Sequence, residues 1–392
     1  MKLINPLLSQ SGVQAQIGRS SYWDSHTYGI RTSNRRGKPE AGLWFRTRGC
    51  LYDRSGGCVM CDYGSGPDST TSDQMISYVQ AGLLELHPNL YHLLVSPIGS
   101  FLDEWEVPEK ARVGILKLLA LTDHETFSFE TRAETVSEDK IEQVFSLIKR
   151  ELKIYMGLES ANPWISKYCL NKGLSQAKFQ KAINILNRHQ IKAVANILIG
   201  TPFLSVSEII DDALYSVSWA LSNGVNECNL FPVHVKDWTA LLWLFKQDLY
   251  HPPSLWTYIE VIRRLGPEIA CQKLELSWYK TYGSINVHKQ PSTCSLCENI
   301  VIEYLDRFDE TNDYEWIQKL VDYKCICKDD WWIDLDKKPE IPSLAERVAT
   351  FYELIGQRML GSDWWLPRRE KILKELFDDA EFLTQAKNHN TA

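Results

Sequence analysis

Residues 42–61 read GLWFRTRGCLYDRSGGCVMC. Gly42–Arg46 is short, apolar and closed by a charge, the pattern of a strand buried in a sheet. The loop behind it carries Cys50, Cys58 and Cys61, with Gly56 and Gly57 between them to permit a tight turn. Three thiolates within twelve residues can hold a soft metal centre. A closed zinc site wants a fourth ligand and none lies nearby, whereas three cysteines suit a [4Fe–4S] cluster with one iron left open. A zinc knuckle completed by a distant His or Cys is the alternative.

Outward from this loop the chain alternates short strand-like and longer helix-like segments. Candidate strands are 42–46, 91–96, 126–130, 152–157, 192–199 and 225–231, all read as apolar segments buried on both faces. Between them the pattern predicts helices over 72–85, 108–121, 138–149, 175–190 and 205–222. The clearest is 175–190, with Phe179, Ala182, Ile183 and Leu186 on one stripe and Ser175 as N-cap. Six β-α units in a row predict an α/β fold with a parallel sheet, open or curled into a barrel, and a site at the strand C-terminal ends. Beyond about residue 235 the pattern changes. Nine of the fourteen tryptophans fall there, and the tail 367–382 reads as an amphipathic packing helix with Ile372, Leu373 and Leu376 on its apolar side.

Composition narrows the classes. With 44% apolar and 24% charged residues, the 392-residue chain has ample material for a core and is not a disordered protein. No apolar run approaches the roughly 18 residues of a membrane helix, and Met1–Pro6 has no signal-peptide core, so a cytoplasmic location is expected. The formal charge of −7 argues against a generally basic nucleic-acid binder. It is uneven: residues 1–48 carry eight basic and two acidic side chains, a net +6, which leaves −13 for the rest. A basic N-terminal arm of that kind could grip a phosphate backbone or an anionic substrate.

The cysteine loop resembles that of the radical S-adenosylmethionine (SAM) superfamily, in which such a loop follows the first strand of a partial (β/α)6 TIM-type barrel. The superfamily's usual first gap is shorter than the seven residues here, and the longer gap resembles the Elongator-catalytic-subunit-like branch. Phrase by phrase the chain is most similar to the family of the archaeosine synthase radical-SAM subunit. The matching phrases are Arg46–Cys50, Ser55–Cys61, Gly99–Asp103 with Glu106–Pro108, Glu130–Arg132, Gly157–Glu159 with Asn171–Gly173, Pro202–Leu204 and Pro252–Trp256. They span roughly residues 40 to 332. The resemblance implies that Cys50, Cys58 and Cys61 hold a [4Fe–4S] cluster whose open iron chelates SAM. One electron then cleaves SAM to methionine and a 5′-deoxyadenosyl radical. It further implies SAM contacts from Gly99 and Ser100 after the second strand, from Glu130 and Arg132 after the third, and from Glu159, a ribose acceptor, after the fourth. For the Glu and Arg residues among them, the plainer reading is a surface or barrel-rim salt bridge.

A second group, Cys294-x2-Cys297 and Cys325-x-Cys327, offers four thiolates, read first as structural zinc and second as an auxiliary iron–sulfur cluster. Cys169, Cys228 and Cys271 read as inert core thiols. His234 follows the sixth strand and is a candidate catalytic residue that could exchange a proton near pH 7. Tyr279 and Tyr282 are candidates for substrate contact or for packing.

In the resembling family the substrate is a tRNA bearing a lysine-modified 7-deazaguanine, whose C–N bond is cleaved. Gly200-Thr201, Phe231–His234 and Lys280–Gln290 depart from that family's pattern at substrate-side positions. A small metabolite or natural-product precursor is therefore a second substrate class. A non-enzymatic iron–sulfur or zinc protein that binds RNA is a rival reading, and methyl or aminocarboxypropyl transfer from SAM a further one. Implied partners are a flavodoxin- or ferredoxin-type one-electron donor and a partner subunit that carries the RNA; no membrane is expected. The expected organisation is an arm over 1–40, a radical SAM barrel over 41–235, a second metal region over 236–335 and a helical tail over 336–392.

Overall fold

The six expected strands all form, and the polar residues within them decide what they enclose. The structure is a computed structural model that describes residues 5–20, 22–97, 99–281, 286–337 and 342–389. Its strands are β1 (Tyr28–Arg35), β2 (Lys38–Phe45), β3 (His92–Ser96), β4 (Thr126–Thr131), β5 (Glu151–Glu159), β6 (Lys192–Ile199), β7 (Glu227–Pro232), β8 (Val235–Lys236), β9 (Leu274–Leu276) and β10 (Val287–Lys289). One curled sheet runs β1-β2-β3-β4-β5-β6-β7-β9, parallel from β2 onward, with β1 antiparallel on its edge; β8 and β10 pair separately. This is the α/β half-barrel that the alternating pattern predicts.

The outward row of each strand is apolar. Phe127, Phe129, Ile154, Met156, Ala195 and Ile197 pack under helices that follow the strands and bring Ile115, Ile141, Phe179, Ile183 and Val217 to the same core. Burying each of the Phe, Ile, Met and Val side chains contributes about 1.5–3 kcal/mol. Ser175 caps its helix through Lys178 N, and Thr71 and Ser205 form capping boxes on theirs, so the helix starts read from sequence have a local cause.

The inward row is polar, which departs from the expectation of strands apolar on both faces. His92, Ser128, Lys153, Asn196, Glu227 and Asn229 are buried or half-buried within the curl. A half-barrel that leaves a lumen must satisfy these groups with one another. At its base Glu275 of β9, only 3% exposed, takes Arg35 Nη1 at 2.7 Å, Lys153 Nζ at 2.9 Å and the Tyr155 hydroxyl at 2.6 Å. Lys153 also pairs with Glu227 at 2.8 Å. The two cations hold the Glu275 carboxyl well below the usual range, while burial pushes neighbouring Glu40 up to about 7. Arg35 and Arg36, in the turn of the first hairpin, donate to Leu276 O (3.1 Å) and Leu274 O (2.9 Å), so the two edges of the sheet meet through side chains.

The described part of 1–40 is thus built into the molecule. Helix Pro6–Ala15 and β1 occupy it, Arg19 pairs with buried Asp53 at 2.8 Å, and Arg46 of the next strand end donates to Trp23 O and to Tyr78. The tail helix Arg369–His389 buries Ile372 and Leu376 as its pattern predicts. Nearby, a short polar chain links distant parts. Tyr352 Oη donates to Tyr168 O (2.7 Å) and accepts from Asn5 Nδ2 (2.6 Å). Asn5 N donates to Asn171 Oδ1 (2.9 Å), and Asn171 O accepts from Cys58 N (3.1 Å). No helix among the described residues is long and apolar enough to cross a membrane.

Replacing Glu275 with Ala strands Arg35 and Lys153 at the base without their shared acceptor. Removal of one member of a buried ion network typically costs about 3–5 kcal/mol. The urea midpoint of E275A should fall clearly below that of the native protein, with E275Q between them; an unchanged midpoint in E275A would show that the network does not hold the sheet together.

Candidate active site at the barrel mouth

The cysteine loop sits over the C-terminal ends of the strands and is fixed by its backbone. Cys50 N donates to Tyr63 O (2.8 Å), Cys61 N to Cys58 O (3.0 Å) and Val59 N to Leu170 O (3.1 Å). Cys58 adopts φ +54, and Gly56, at φ +80, lies so close to Ser9 O that a Cβ there would stand 2.0 Å from it. Burial pushes all three thiols up, Cys58 to about 12. Thiols so placed ionise only against a strong local positive charge, which is what a bound iron centre supplies.

Glu106 ties this loop to the next. Fully buried, it accepts from Thr47 Oγ1 (2.8 Å), Gly99 N (2.7 Å) and Ser100 N (2.7 Å), and Thr47 Oγ1 in turn accepts from Gly49 N (3.1 Å). Burial pushes its carboxyl up to about 7 against the pull of those three donors. A Cβ on Gly99 would meet Glu106 Oε2 at 2.7 Å and Cys50 Cβ at 3.1 Å, so only glycine lets the second strand's loop lie against the first.

Beneath the loop is a cleft of ≈ 1220 Å³ of empty space, its open mouth included. Cys50, Cys58 and Cys61 line it, with Gly99, Glu130, Arg132, Glu159 and His234. Glu130 accepts from Ser96 Oγ (2.9 Å), and Arg132 holds Asp103 at 2.6 Å, with Glu134 3.9 Å from its Nε. Glu159 stands at φ +64 on a bulge in β5; Lys172 Nζ binds its Oε1 at 2.9 Å, while buried Oε2 has no partner. Strain of this kind concentrates at ligand clamps.

Ser100 is placed otherwise than expected. Its hydroxyl is bonded to Thr131 Oγ1 (2.8 Å) and to Arg132 N (3.1 Å), and Ser100 itself does not line the cavity. His234 lines it, yet burial lowers its pKa to about 4, so the ring is neutral rather than exchanging a proton near pH 7. Its Nδ1 faces Pro232 O at 3.2 Å and its Nε2 is buried without a partner. Tyr279 is buried and bonds Asp306 at 2.6 Å, a packing role; Tyr282 lies outside the described residues. Sequence reading passed over Lys172, Lys236, Asn196, Asn229 and Trp278, which also line the cleft. Lys172 sat inside the quoted Asn171–Gly173 phrase. Lys236 meets Asp62 at 2.9 Å across 174 positions, a pairing no local pattern announces.

The second cysteine group is compact. Cys294–Cys297 sulfurs lie 3.6 Å apart, and Cys294–Cys325, Cys297–Cys327 and Cys325–Cys327 each 3.5 Å. Trp256 Nε1 donates to Cys327 Sγ at 3.3 Å. Among the described residues this is the one group of three or more candidate ligands whose donor atoms all lie within 4.8 Å of one another.

No protein-family model matches the chain. Among proteins, an uncharacterized protein of Methanocaldococcus jannaschii is 28% identical over 317 residues, 77% of this chain and 84% of that one. Archaeosine synthase subunit beta of Methanosarcina acetivorans is 28% identical over 298 residues (73% and 82%), and that of Thermococcus kodakarensis 28% over 323 (78% and 95%). The chain is similar to archaeosine synthase subunit beta. The resemblance carried by the motifs thus extends over about three quarters of its length. Among solved structures, Elp3 of Methanocaldococcus infernus matches at 17% identity and a TM-score of 0.44, over 60% of this chain and 58% of that one.

The neutral ring of His234 sets a pH signature. Its folded pKa lies below the ordinary 6.5, so its burial stabilises the fold above pH 6.5, and that contribution is lost as pH falls towards about 4. Its ring-nitrogen NMR shifts should stay in the neutral range from pH 8 to about 5. A midpoint near 6.5 would contradict the burial.

Proposed function

We propose that Cys50, Cys58 and Cys61 hold a [4Fe–4S] cluster and that the chain cleaves SAM on it, acting on a lysine-modified 7-deazaguanine of tRNA by breaking a C–N bond. The observation that carries the reading is the set of three buried or half-buried thiols lining a cleft whose other wall offers the unpartnered Oε2 of Glu159. When bound, the cluster supplies the electron that splits the sulfonium bond and releases the 5′-deoxyadenosyl radical. The protein's own part is positional. Glu106 fixes the Gly99 backbone against Cys50; Glu159, steadied by Lys172, offers Oε2 to ribose hydroxyls; Arg132, held by Asp103 and Glu134, places a cation at the mouth. Asp62–Lys236 ties the cysteine loop to the end of the barrel and helps to exclude water. A flavodoxin- or ferredoxin-type donor, a cytoplasmic setting and a partner subunit that carries the RNA belong to the same reading.

A second substrate class is supported by one specific observation. Arg19, Arg35, Arg36 and Arg46, which supply much of the N-terminal positive charge, are engaged inside the fold rather than displayed to a phosphate backbone. That favours either RNA delivery by a partner subunit or a small-molecule substrate. Anaerobic incubation of the reconstituted protein with dithionite and SAM should give 5′-deoxyadenosine, and Cys58→Ser should abolish it. Methylthioadenosine or S-adenosylhomocysteine instead would refute 5′-deoxyadenosyl chemistry in favour of aminocarboxypropyl or methyl transfer, and no product at all would favour a binding protein. Product that rises only with the modified tRNA supports the first substrate.

For the second site we propose structural zinc held by Cys294, Cys297, Cys325 and Cys327. A tetrahedron with Zn–S near 2.3 Å has sulfur–sulfur edges of about 3.8 Å. The observed edges of 3.5 and 3.6 Å approach that value, whereas a cubane splays its thiolates over four separate irons. Metal analysis after anaerobic reconstitution should find about one zinc and about four irons per chain. Cys294→Ala should lose the zinc and keep the iron, while about eight irons without zinc would overturn the assignment.

A further inference from the structure

The inner wall of the barrel holds a polar pair that no step above uses. Asn196 of β6 and Asn229 of β7 stand at the same register on adjacent parallel strands, and both line the cleft. Asn229 Nδ2 donates to Asn196 Oδ1 at 3.0 Å. Whichever way the two amides are turned, one such bond leaves one carbonyl oxygen and three N–H groups unused. The unused oxygen, Asn229 Oδ1, is buried with no partner in a residue only 8% exposed. An unpaired buried acceptor costs about 1–3 kcal/mol, a cost a ligand donor would relieve. His234 adds a second acceptor on the same side of the cleft. With Nδ1 turned to Pro232 O, its neutral ring presents a bare Nε2, also buried and unpartnered.

Depth separates this wall from the SAM contacts. Asn196 pairs in register with Gly157 of β5, one inward position below Glu159, and it lies one inward position below Leu198, which also lines the cleft. A ligand whose ribose is held by Glu159 lies above the amide pair, so the pair meets what sits beneath. Gly157, its neighbour in register, has no side chain because a Cβ there would stand 2.4 Å from Glu159 Oε1 and 2.7 Å from Lys172 Nζ, so the ribose clamp borders the amide pair directly.

We propose that the Asn196–Asn229 pair, with His234, is the substrate-reading wall: it receives the amino-bearing edge of a planar nitrogen heterocycle, with Asn229 Oδ1 accepting from a ring or exocyclic N–H and the remaining amide N–H groups donating to a carbonyl or ring nitrogen. The inference rests on the reading of the cleft as a SAM-dependent active site and assigns its specificity to residues that reading leaves idle. These are specificity-determining groups; the reacting atoms belong to SAM and substrate.

The test uses the reconstituted, full-length protein saturated with SAM and 7-deazaguanine as the probe base, with binding of each followed separately by equilibrium dialysis. The native protein should bind the base saturably. Asn229→Leu, which removes the acceptor at similar volume, should weaken the base by about 10–100-fold and leave the SAM dissociation constant within about 2-fold. Asn229→Asp, which keeps an acceptor at the same place, should retain more affinity than N229L. Circular dichroism and iron content of both variants, matched to the native protein, guard against misfolding. Equal loss of SAM and base affinity in N229L would place the pair under the SAM adenine and overturn the proposal, as would base binding indifferent to N229L or absent from the native protein. If those failures accompany normal 5′-deoxyadenosine formation, the wall alone is misassigned; if SAM is not cleaved at all, the underlying reading falls with it.

Discussion

One carboxylate at the base of the half-barrel carries more of this structure than any other group. Glu275 belongs to a strand of three residues, too short to hold an edge by its own ladder. It stays because Arg35 from the opposite edge and Lys153 from the middle of the sheet converge on it, and because Arg35 and Arg36 take up the carbonyls beside it. Such a network is costly to desolvate, and fully satisfied it fixes one arrangement. Here it fixes the curl of the sheet. With the base closed by charges rather than by large apolar side chains, the lumen above stays polar and partly empty.

At the other end of the strands the organising group is again a buried acid. Glu106 joins the loops after β2 and β3 through three donors, and its carboxyl is poised near neutrality between burial and hydrogen bonding. The cysteines therefore hang from a rigid seam, as a site that must hold reactive chemistry to within fractions of an ångström requires. Both ends of the barrel use the same device, a carboxylate surrounded by donors from different strands.

Much of this was legible in the chain. The six strands, the helix 72–85, the Ser175 cap and both cysteine groups have signals that lie within a few residues: an apolar run, a cap, a spacing. The polar row was also written there, as Lys153, Tyr155 and Gly157 alternating with Leu152, Ile154 and Met156, and as Asn196 and Asn229 amid apolar neighbours. It was overlooked because an apolar majority reads as two buried faces, and only closure of the sheet gives the inner face a separate environment. The Glu275 strand, the Lys236–Asp62 pair and the low pKa of His234 depend on contacts far apart in sequence or on burial, which no local window contains.

The polar chain from Tyr352 through Asn5 and Asn171 to the backbone of Cys58 has a bearing on how the molecule comes to exist. One terminal region is made first and the other late in synthesis, yet both brace the loop that carries Cys58. While the ribosome is still adding residues before 352, Asn5 lacks its hydroxyl partner and the loop lacks that support. The cysteine loop therefore gains its last brace late although it is synthesised early.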